Sequence, residues 1–244
     1  MDCGRRRSPF YSGGVKNGYA ATEVVIDNVH LWDGVYDPYL YTADAVLLAE
    51  DHEKDHISLR FGCRKFEIDP QNGFFLNGRS YPLRGVSRHQ DRKGIGNALT
   101  LAEHREDMEL IHEIGANTIR LAHYQHAQEF YDLCDRYGIL VWQDLMYACN
   151  VYDFTEEFEK NICQETVDNV RRLRHHASLG LWCGNNELES AWDHWGISET
   201  HSPLLKGDYI KQFEYVLPKV TKAEDQATFY WPSSPSSGGY SRCR

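Results

Sequence analysis

The sequence predicts an α/β protein, a partial (β/α)8 TIM barrel preceded by the last strands of an antiparallel β-domain. Three observations carry that prediction. Runs rich in Val, Ile, Tyr and Phe fill residues 20–68. After them, short apolar runs alternate with helix-period segments, the pattern of a parallel sheet covered by helices. Hydrophilic residues then sit just beyond the end of each apolar run, where a barrel gathers its functional groups.

"TEVVIDNVHLW", "YLYTADAVLLAE" and "HISLRFGCRKFEI" read as strands, separated by turn formers such as Asp33-Gly34 and Asp37-Pro38. Three strands do not make a sandwich, so residues 1–68 read as the remnant of a larger β-domain. Residues 69–235 carry the barrel pattern, and 236–244 form a tail that matches nothing in it. "FFLNGRSYPLRG" contains Asn77-Gly78, a hairpin signal, and leads into a strand near 81–87. Thr100 and Glu103 are spaced as a capping box, with Met108, Ile111 and Ile114 at helical spacing behind them and Gly115 as the stop.

Next come the strand "NTIRLA", the helix "AQEFYDLCDRYG" closed by Gly138, and the strand "ILVWQD". A long helix follows over roughly 156–175, then the strand "LGLWCG", the helix "DYIKQFEYVL" and the strand "TFYWP". A doubly wound sheet shares this alternation. No Gly-x-Gly-x-x-Gly or P-loop follows the first strand, which disfavours a nucleotide-binding version. The strand ends favour a barrel: Arg88-His89, His123-Tyr124, Gln143-Asp144, Asn185-Asn186-Glu187 and Ser233-Ser234 would all meet at one mouth.

The formal net charge of −10, with no compensating basic block, argues against a nucleic-acid partner. "RRLRHH" at 171–176 reads as a solvated helix end whose cations suit the C-terminal dipole. No segment approaches the ~20 apolar residues of a membrane span. The N-terminus lacks the apolar stretch of a secretory signal, and seven cysteines without C-x-x-C spacing read as free thiols. A cytoplasmic, soluble protein is expected.

Glu187 is the residue best suited to chemistry. A carboxyl group at a barrel mouth, flanked by Trp182, Trp192 and Trp195, would be partly desolvated and suited to donating a proton. Tryptophans also offer flat apolar platforms for sugar rings. The competing reading makes Asn185 or Asn186 a helix cap and Glu187 a complement to the helix dipole. Glu189 reads as a solvated neighbour, and His175, His176 and His194 as surface residues. His123 and His126 share H-x-x-H spacing and His89 adds a third imidazole, but no carboxylate partner accompanies them. Hydrogen bonding to a polyhydroxylated ligand is the better reading, and no metal or other cofactor is expected. Nothing ties Cys149 or Cys183 to a histidine as a nucleophile would require.

"FFLNGRSYPLRGVSRHQDR", "GANTIRLAHYQHAQEFYDLCDRYGILVW" and "WCGNNELESAWDHWG", in that order, resemble the family 2 glycoside hydrolases over about residues 20–235. The resemblance implies an immunoglobulin-like β-sandwich followed by a (β/α)8 catalytic barrel, acting on β-linked sugars with retention. It implies Glu187 as the general acid/base, Asn186 as the contact to the sugar 2-hydroxyl, and His89 and His123 as lining of the sugar subsite. "GVSRHQDR" and "IRLAHYQH" resemble β-galactosidases, which makes terminal β-D-galactosides the leading substrate expectation. "VWQDLMYACNVYDF", "WCGNNELESAWDHWG" and "YWPSSPSSGG" resemble β-mannosidases, whose platform tryptophans map onto Trp142 and Trp195. The E-x-H loop that holds magnesium in some large β-galactosidases has no match, so the resemblance implies no magnesium.

A retaining mechanism needs a second carboxylate ~5–5.5 Å from the acid, acting as nucleophile. The resemblance places it at the end of a seventh strand, a position that Asp91, Asp144 and Glu189 do not occupy. The expected catalytic region is therefore truncated, with a non-catalytic carbohydrate-binding fragment as the rival reading. An open sheet would also expose its edges and favour self-association.

Overall fold

The computed structural model describes residues 13–18 and 20–236. The segment read for a secretory signal lies outside them up to Ser12, as does the tail from Ser237 onward. The chain divides into two units, Met1–His30 and Leu31–Arg244.

The described residues of the first unit form turns, at Asn17-Gly18 and Asp27-Asn28, and no regular helix or strand. The strand expected over "TEVVIDNVHLW" is therefore absent, and its tail makes only isolated bridges, Leu31 with Cys63 and Trp32 with Pro38. Val24 and Val25 are exposed. β-forming side chains do not make a strand without a ladder to join.

The second unit opens with an antiparallel ribbon, β1 (Tyr41–Ala49) and β2 (His52–Phe61), exposed along nearly its whole length. A three-stranded antiparallel sheet follows, of β3 (Phe66–Asp69), β4 (Gly73–Leu76) and β5 (Arg79–Ser80). The β4–β5 turn is Asn77-Gly78, both at positive φ (53° and 78°), as a two-residue hairpin requires.

Then the alternation begins: β6 (Gly85–Arg88), α1 (Leu101–Glu113), β7 (Thr118–Leu121), α2 (Gln128–Tyr137), β8 (Leu140–Asp144), α3 (Glu156–Leu173) and β9 (Leu179–Cys183). Thr100 caps α1 in the expected reciprocal box with Glu103, and Gly138 ends α2 at φ 74°. Its open Cα is needed for packing as well, because a Cβ there would meet the Gly34 carbonyl oxygen at 2.1 Å. Between β9 and the last strand, β10 (Phe229–Trp231), lie two short helices: α4 (Leu188–His194), the helix of the competing reading of Asn185-Asn186-Glu187, and α5 (Ile197–Thr200), which the sequence reading did not foresee. The expected single helix "DYIKQFEYVL" is the centre of a longer run: α6 (Leu204–Ile210), a π-helical stretch (Lys211–Val216) and α7 (Leu217–Glu224). Pro218, which has no N–H to donate, is the second residue of α7, within its first turn.

The five strands from β6 to β10 pair in parallel, in the order β10-β9-β8-β7-β6. Spatial order follows chain order with no reversal, which is the arc of a barrel and not a doubly wound sheet. One face packs Ile119, Leu121, Val141, Leu179 and Trp182 against Met108, Phe130, Val170 and Phe213 of the helical layer. The β8–β9 register shifts after Val141. Gly180 fits there without a side chain, since a Cβ would come within 2.8 Å of Leu140 Cδ2.

A smaller cluster of Trp32, Leu76, Tyr81 and Ala177 closes the N-terminal end of the sheet. There Arg64 donates to the Ala177 and Leu179 carbonyls at 3.1 and 3.0 Å, and Trp32 Nε1 donates to the Asp135 carbonyl at 2.9 Å.

His176 is a correction to the sequence reading. It is buried, not on the surface, held between Asp135 Oδ2 and Gln128 Nε2 at 2.6 Å each. Glu189 is also buried and accepts from Ser236 Oγ, so it is not a solvated neighbour. His194 is exposed, as expected.

Candidate active site

The C-terminal ends of the parallel strands meet at Asp144, the last residue of β8 and fully buried. Its carboxylate accepts from Arg120 Nη2 (2.8 Å) and Nε (3.1 Å), from His123 Nδ1 (2.7 Å) and from Trp142 Nε1 (3.1 Å). Arg120 stands on β7 beside Trp142 of β8 in register, so both side chains share the inner face of the arc. A carboxylate this deep is tolerated because a guanidinium neutralises it and every approach is a hydrogen bond.

Arg120 Nη2 also donates to Asn186 Oδ1 at 2.9 Å. The backbone beyond β9 is gripped on both sides. Asn186 N donates to the Tyr147 carbonyl at 2.9 Å and Glu187 N to the Ser234 carbonyl at 3.0 Å, extending the parallel ladder to the residues of interest. Glu187 itself sits at φ 65°, in the left-handed region. Such backbone persists where surroundings over-determine it, and it clusters at functional sites.

The adjacent amides divide the two readings made from sequence. Asn185 is fully buried and structural: its Oδ1 accepts from Leu188 N (3.1 Å) and Ser233 Oγ (2.7 Å), capping α4. Asn186 and Glu187 face the mouth instead.

His89 is exposed beyond β6, and its ring stands edge-on to His123 with centroids 5.0 Å apart. A continuous path of contacts thus runs from His89 through His123, Asp144 and Arg120 to Asn186, with Trp142 as its floor.

Other expected residues are elsewhere. His126 does not join His123. Its Nδ1 meets Arg88 Nη1 at 3.0 Å, and burial, then the Arg88 charge, lower its pKa to about 3. His104 contacts the same guanidinium at 3.1 Å and is also shifted down by burial and Arg88. Arg88 is itself paired with Asp107 at 2.7 Å and stacked over Phe130, so it supports the fold and is turned away from the mouth. Trp182 is fully buried, its Nε1 on Asp225 at 3.0 Å, and cannot flank Glu187 as expected. Trp192 is buried in the α4–α6 region with Lys206 over its ring. Trp195, half exposed at the end of α4, makes no contact with the Asp144 network among the described residues. Burial pushes the Cys183 thiol up, which removes it as a nucleophile.

Sequence reasoning missed Arg120, and it weighed Cys149 only as a nucleophile, not for the sulfur that lies 3.7 Å from Glu187 Oε2. A charged residue inside the otherwise apolar strand "NTIRLA" was the available signal for Arg120. Cys149 gave none. Among the described residues, no three His, Cys, Asp or Glu side chains are arranged to hold a metal ion, and no helix is long and apolar enough to cross a membrane.

The family model for the glycosyl hydrolases family 2 TIM barrel domain matches residues 67–211. The chain belongs to glycosyl hydrolase family 2. A second family 2 model matches residues 8–64. The architecture is accordingly part of an O-glycosyl hydrolase TIM barrel preceded by the last strands of an immunoglobulin-like sandwich. A β-glucuronidase of Bacteroides fragilis is 38% identical over 176 residues, covering 70% of this chain and 25% of that protein. β-Mannosidase B of Aspergillus fumigatus is 30% identical over 246 residues, covering 93% of this chain and 29% of that one. The crystal structure of a β-D-mannosidase from Dictyoglomus thermophilum superposes with a TM-score of 0.75 at 32% identity, over 87% of this chain and 27% of that chain. This family 2 chain therefore spans about a quarter of the length of the relatives it matches.

Proposed function

We propose that this chain carries the acid/base half of a retaining β-glycosidase. Glu187 protonates the departing glycosidic oxygen and later takes a proton from the attacking water. Asn186 receives the sugar 2-hydroxyl, His89 and His123 bind further hydroxyls, and Trp142 forms the floor of the subsite. Trp195 is a platform only if α4 turns its ring toward the mouth.

The observation that carries this reading is the Asp144 network, which draws His123, Arg120, Trp142 and Asn186 into one rigid assembly beside Glu187. Asp144 is not the nucleophile. Its oxygens are filled by donors and its charge is neutralised by Arg120. Glu189 is buried against Ser236. In this reading the nucleophilic carboxylate comes from outside the described residues.

A β-mannoside is the favoured sugar, because the similarity to named β-mannosidases extends over 93% of the chain in sequence and 87% in structure, against 70% and 82% for named β-glucuronidases. The β-galactoside expectation rests on "GVSRHQDR" and "IRLAHYQH" and on a β-galactosidase of Bacteroides ovatus that is 29% identical over 70% of this chain. Aryl β-mannoside, β-galactoside and β-glucuronide assayed side by side separate the three. Glu187→Gln is expected to lower turnover by about 10²–10⁴-fold on poor leaving groups. Undiminished turnover in that variant would remove the assignment. Mannose binding by calorimetry with no hydrolysis of any aryl glycoside would favour the non-catalytic carbohydrate-binding fragment.

A further inference from the structure

Cys149 has no part in the mechanism above, yet it touches both residues of the Asn186-Glu187 pair. Its Sγ lies 3.5 Å from Asn186 Nδ2 and 3.7 Å from Glu187 Oε2. A thiol is a weak acceptor and a weak donor at once, so it can stand between an amide N–H and a carboxylate.

The polarity of this arrangement is set from the far end. A guanidinium only donates, so Arg120 Nη2, 2.9 Å away, fixes Asn186 Oδ1 as the acceptor. The amide N–H2 must then face the sulfur, and the thiol proton is left to point at Glu187. Donation runs one way, from Arg120 through Asn186 and Cys149 to Glu187 Oε2. The other carboxylate oxygen, Oε1, makes no hydrogen bond among the described residues.

The backbone supports the same conclusion. Cys149 and Glu187 are both non-glycine residues in the left-handed region, at φ 55° and 65°. Cys149 N donates to the Asn186 carbonyl at 3.3 Å, next to the parallel bridge between Ala148 and Asn186. Two residues in sparsely populated conformations, on segments joined through the Asn186 main chain, hold the sulfur against the carboxylate.

We propose that Cys149 is a positioning residue for Glu187. Its thiol engages Oε2 and so leaves Oε1 as the oxygen that exchanges a proton with the glycosidic oxygen. The proposal rests on the acid/base reading of Glu187.

Infrared spectroscopy tests the contact without requiring turnover. The S–H stretching band falls clear of other protein bands and moves to lower frequency when the thiol donates a hydrogen bond. Subtracting the spectrum of Cys149→Ser from that of the wild type isolates the Cys149 band. That band is expected at the low frequency of a hydrogen-bonded thiol, and is expected to move up in Glu187→Ala while circular dichroism stays unchanged. A band at the solvent-exposed frequency, or one indifferent to Glu187→Ala, overturns the proposal.

A kinetic arm reads the positioning itself. Cys149→Ala is expected to lose several-fold in kcat on an aryl glycoside with a poor leaving group, with little change in KM. On a dinitrophenyl glycoside, whose departure needs no protonation, kcat/KM, which reports glycosylation alone, should be unchanged, and Cys149→Ser should recover most of the loss on the poor leaving group. Equal losses of kcat/KM on both substrates would overturn the positioning role. If instead Glu187→Gln keeps full turnover while the band shift is present, the acid/base reading fails and the thiol contact stands.

Discussion

Asp144 Oδ2 lies 2.7 Å from His123 Nδ1, and the same oxygen accepts from Arg120 Nη2 at 2.8 Å. One buried carboxylate therefore orients an imidazole at the end of β7 and a guanidinium within it. This assigns His123 a definite orientation, with Nδ1 spent on Asp144 and Nε2 left for a ligand.

Asp144→Asn is expected to destabilise the chain by about 3 kcal/mol, because it leaves the Arg120 charge without its partner in a partly closed site. It should also abolish sugar binding, since Asn186 and His123 lose their common anchor. Urea unfolding followed by tryptophan fluorescence measures the first effect and calorimetry the second. An unchanged unfolding midpoint would mean that the network does not hold this end of the sheet together.

Acid sensitivity follows from the Arg88 cluster. The folded pKa of His126 is lowered from 6.5 to about 3 by burial and Arg88, so the unfolded chain binds its proton more readily. A depressed histidine is most stabilising above its unfolded pKa. Stability is therefore lost as pH falls from 6.5 toward 3, at up to about 1.4 kcal/mol per pH unit. His104, also lowered, adds in the same direction. Burial alone would raise the pKa of Asp107, but hydrogen bonds from Arg92 and Arg88 outweigh it and the net shift is downward. That carboxylate's contribution is present above its unfolded value of 3.8 and is lost as pH falls from there through its folded value. His126→Gln should flatten the acid limb of a plot of unfolding midpoint against pH; parallel curves for the two proteins would refute the assignment.

Self-association is the third expectation. β6 and β10 are the edges of the parallel sheet among the described residues, and Gly85, Val86 and Ser87 of β6 are exposed. The β1–β2 ribbon adds Val46, Leu47, Leu48, Ile57 and Leu59 in the open. Unpaired strand edges and contiguous apolar surface are templates for further pairing. Light scattering coupled to size-exclusion chromatography should show species larger than a monomer, increasing with concentration. A single sharp monomer peak across that range would contradict it.

Features that depend on a few neighbouring residues were legible in the sequence. The Thr100–Glu103 box, the Asn77-Gly78 turn, the stop at Gly138 and the alternation of apolar strands with helices all express local sterics and hydrogen bonding. The strand-end motifs likewise placed Glu187, Asn186, His123 and His89 at one end of the sheet. Tertiary structure alone decided which side chains face that end. Strand parity sends Trp142 into the arc and Trp182 into the helical layer, and a register shift at Gly180 separates the two patterns. It also decided which polar groups are structural, as with Asn185, His126, His176 and Glu189. Arg120 acquires its meaning from partners 24 and 66 positions away, and Cys149 from partners 37 and 38 positions away. A hydrogen bond closed by folding leaves no periodicity in the chain, so the hub at Asp144 could be read only from the folded arrangement.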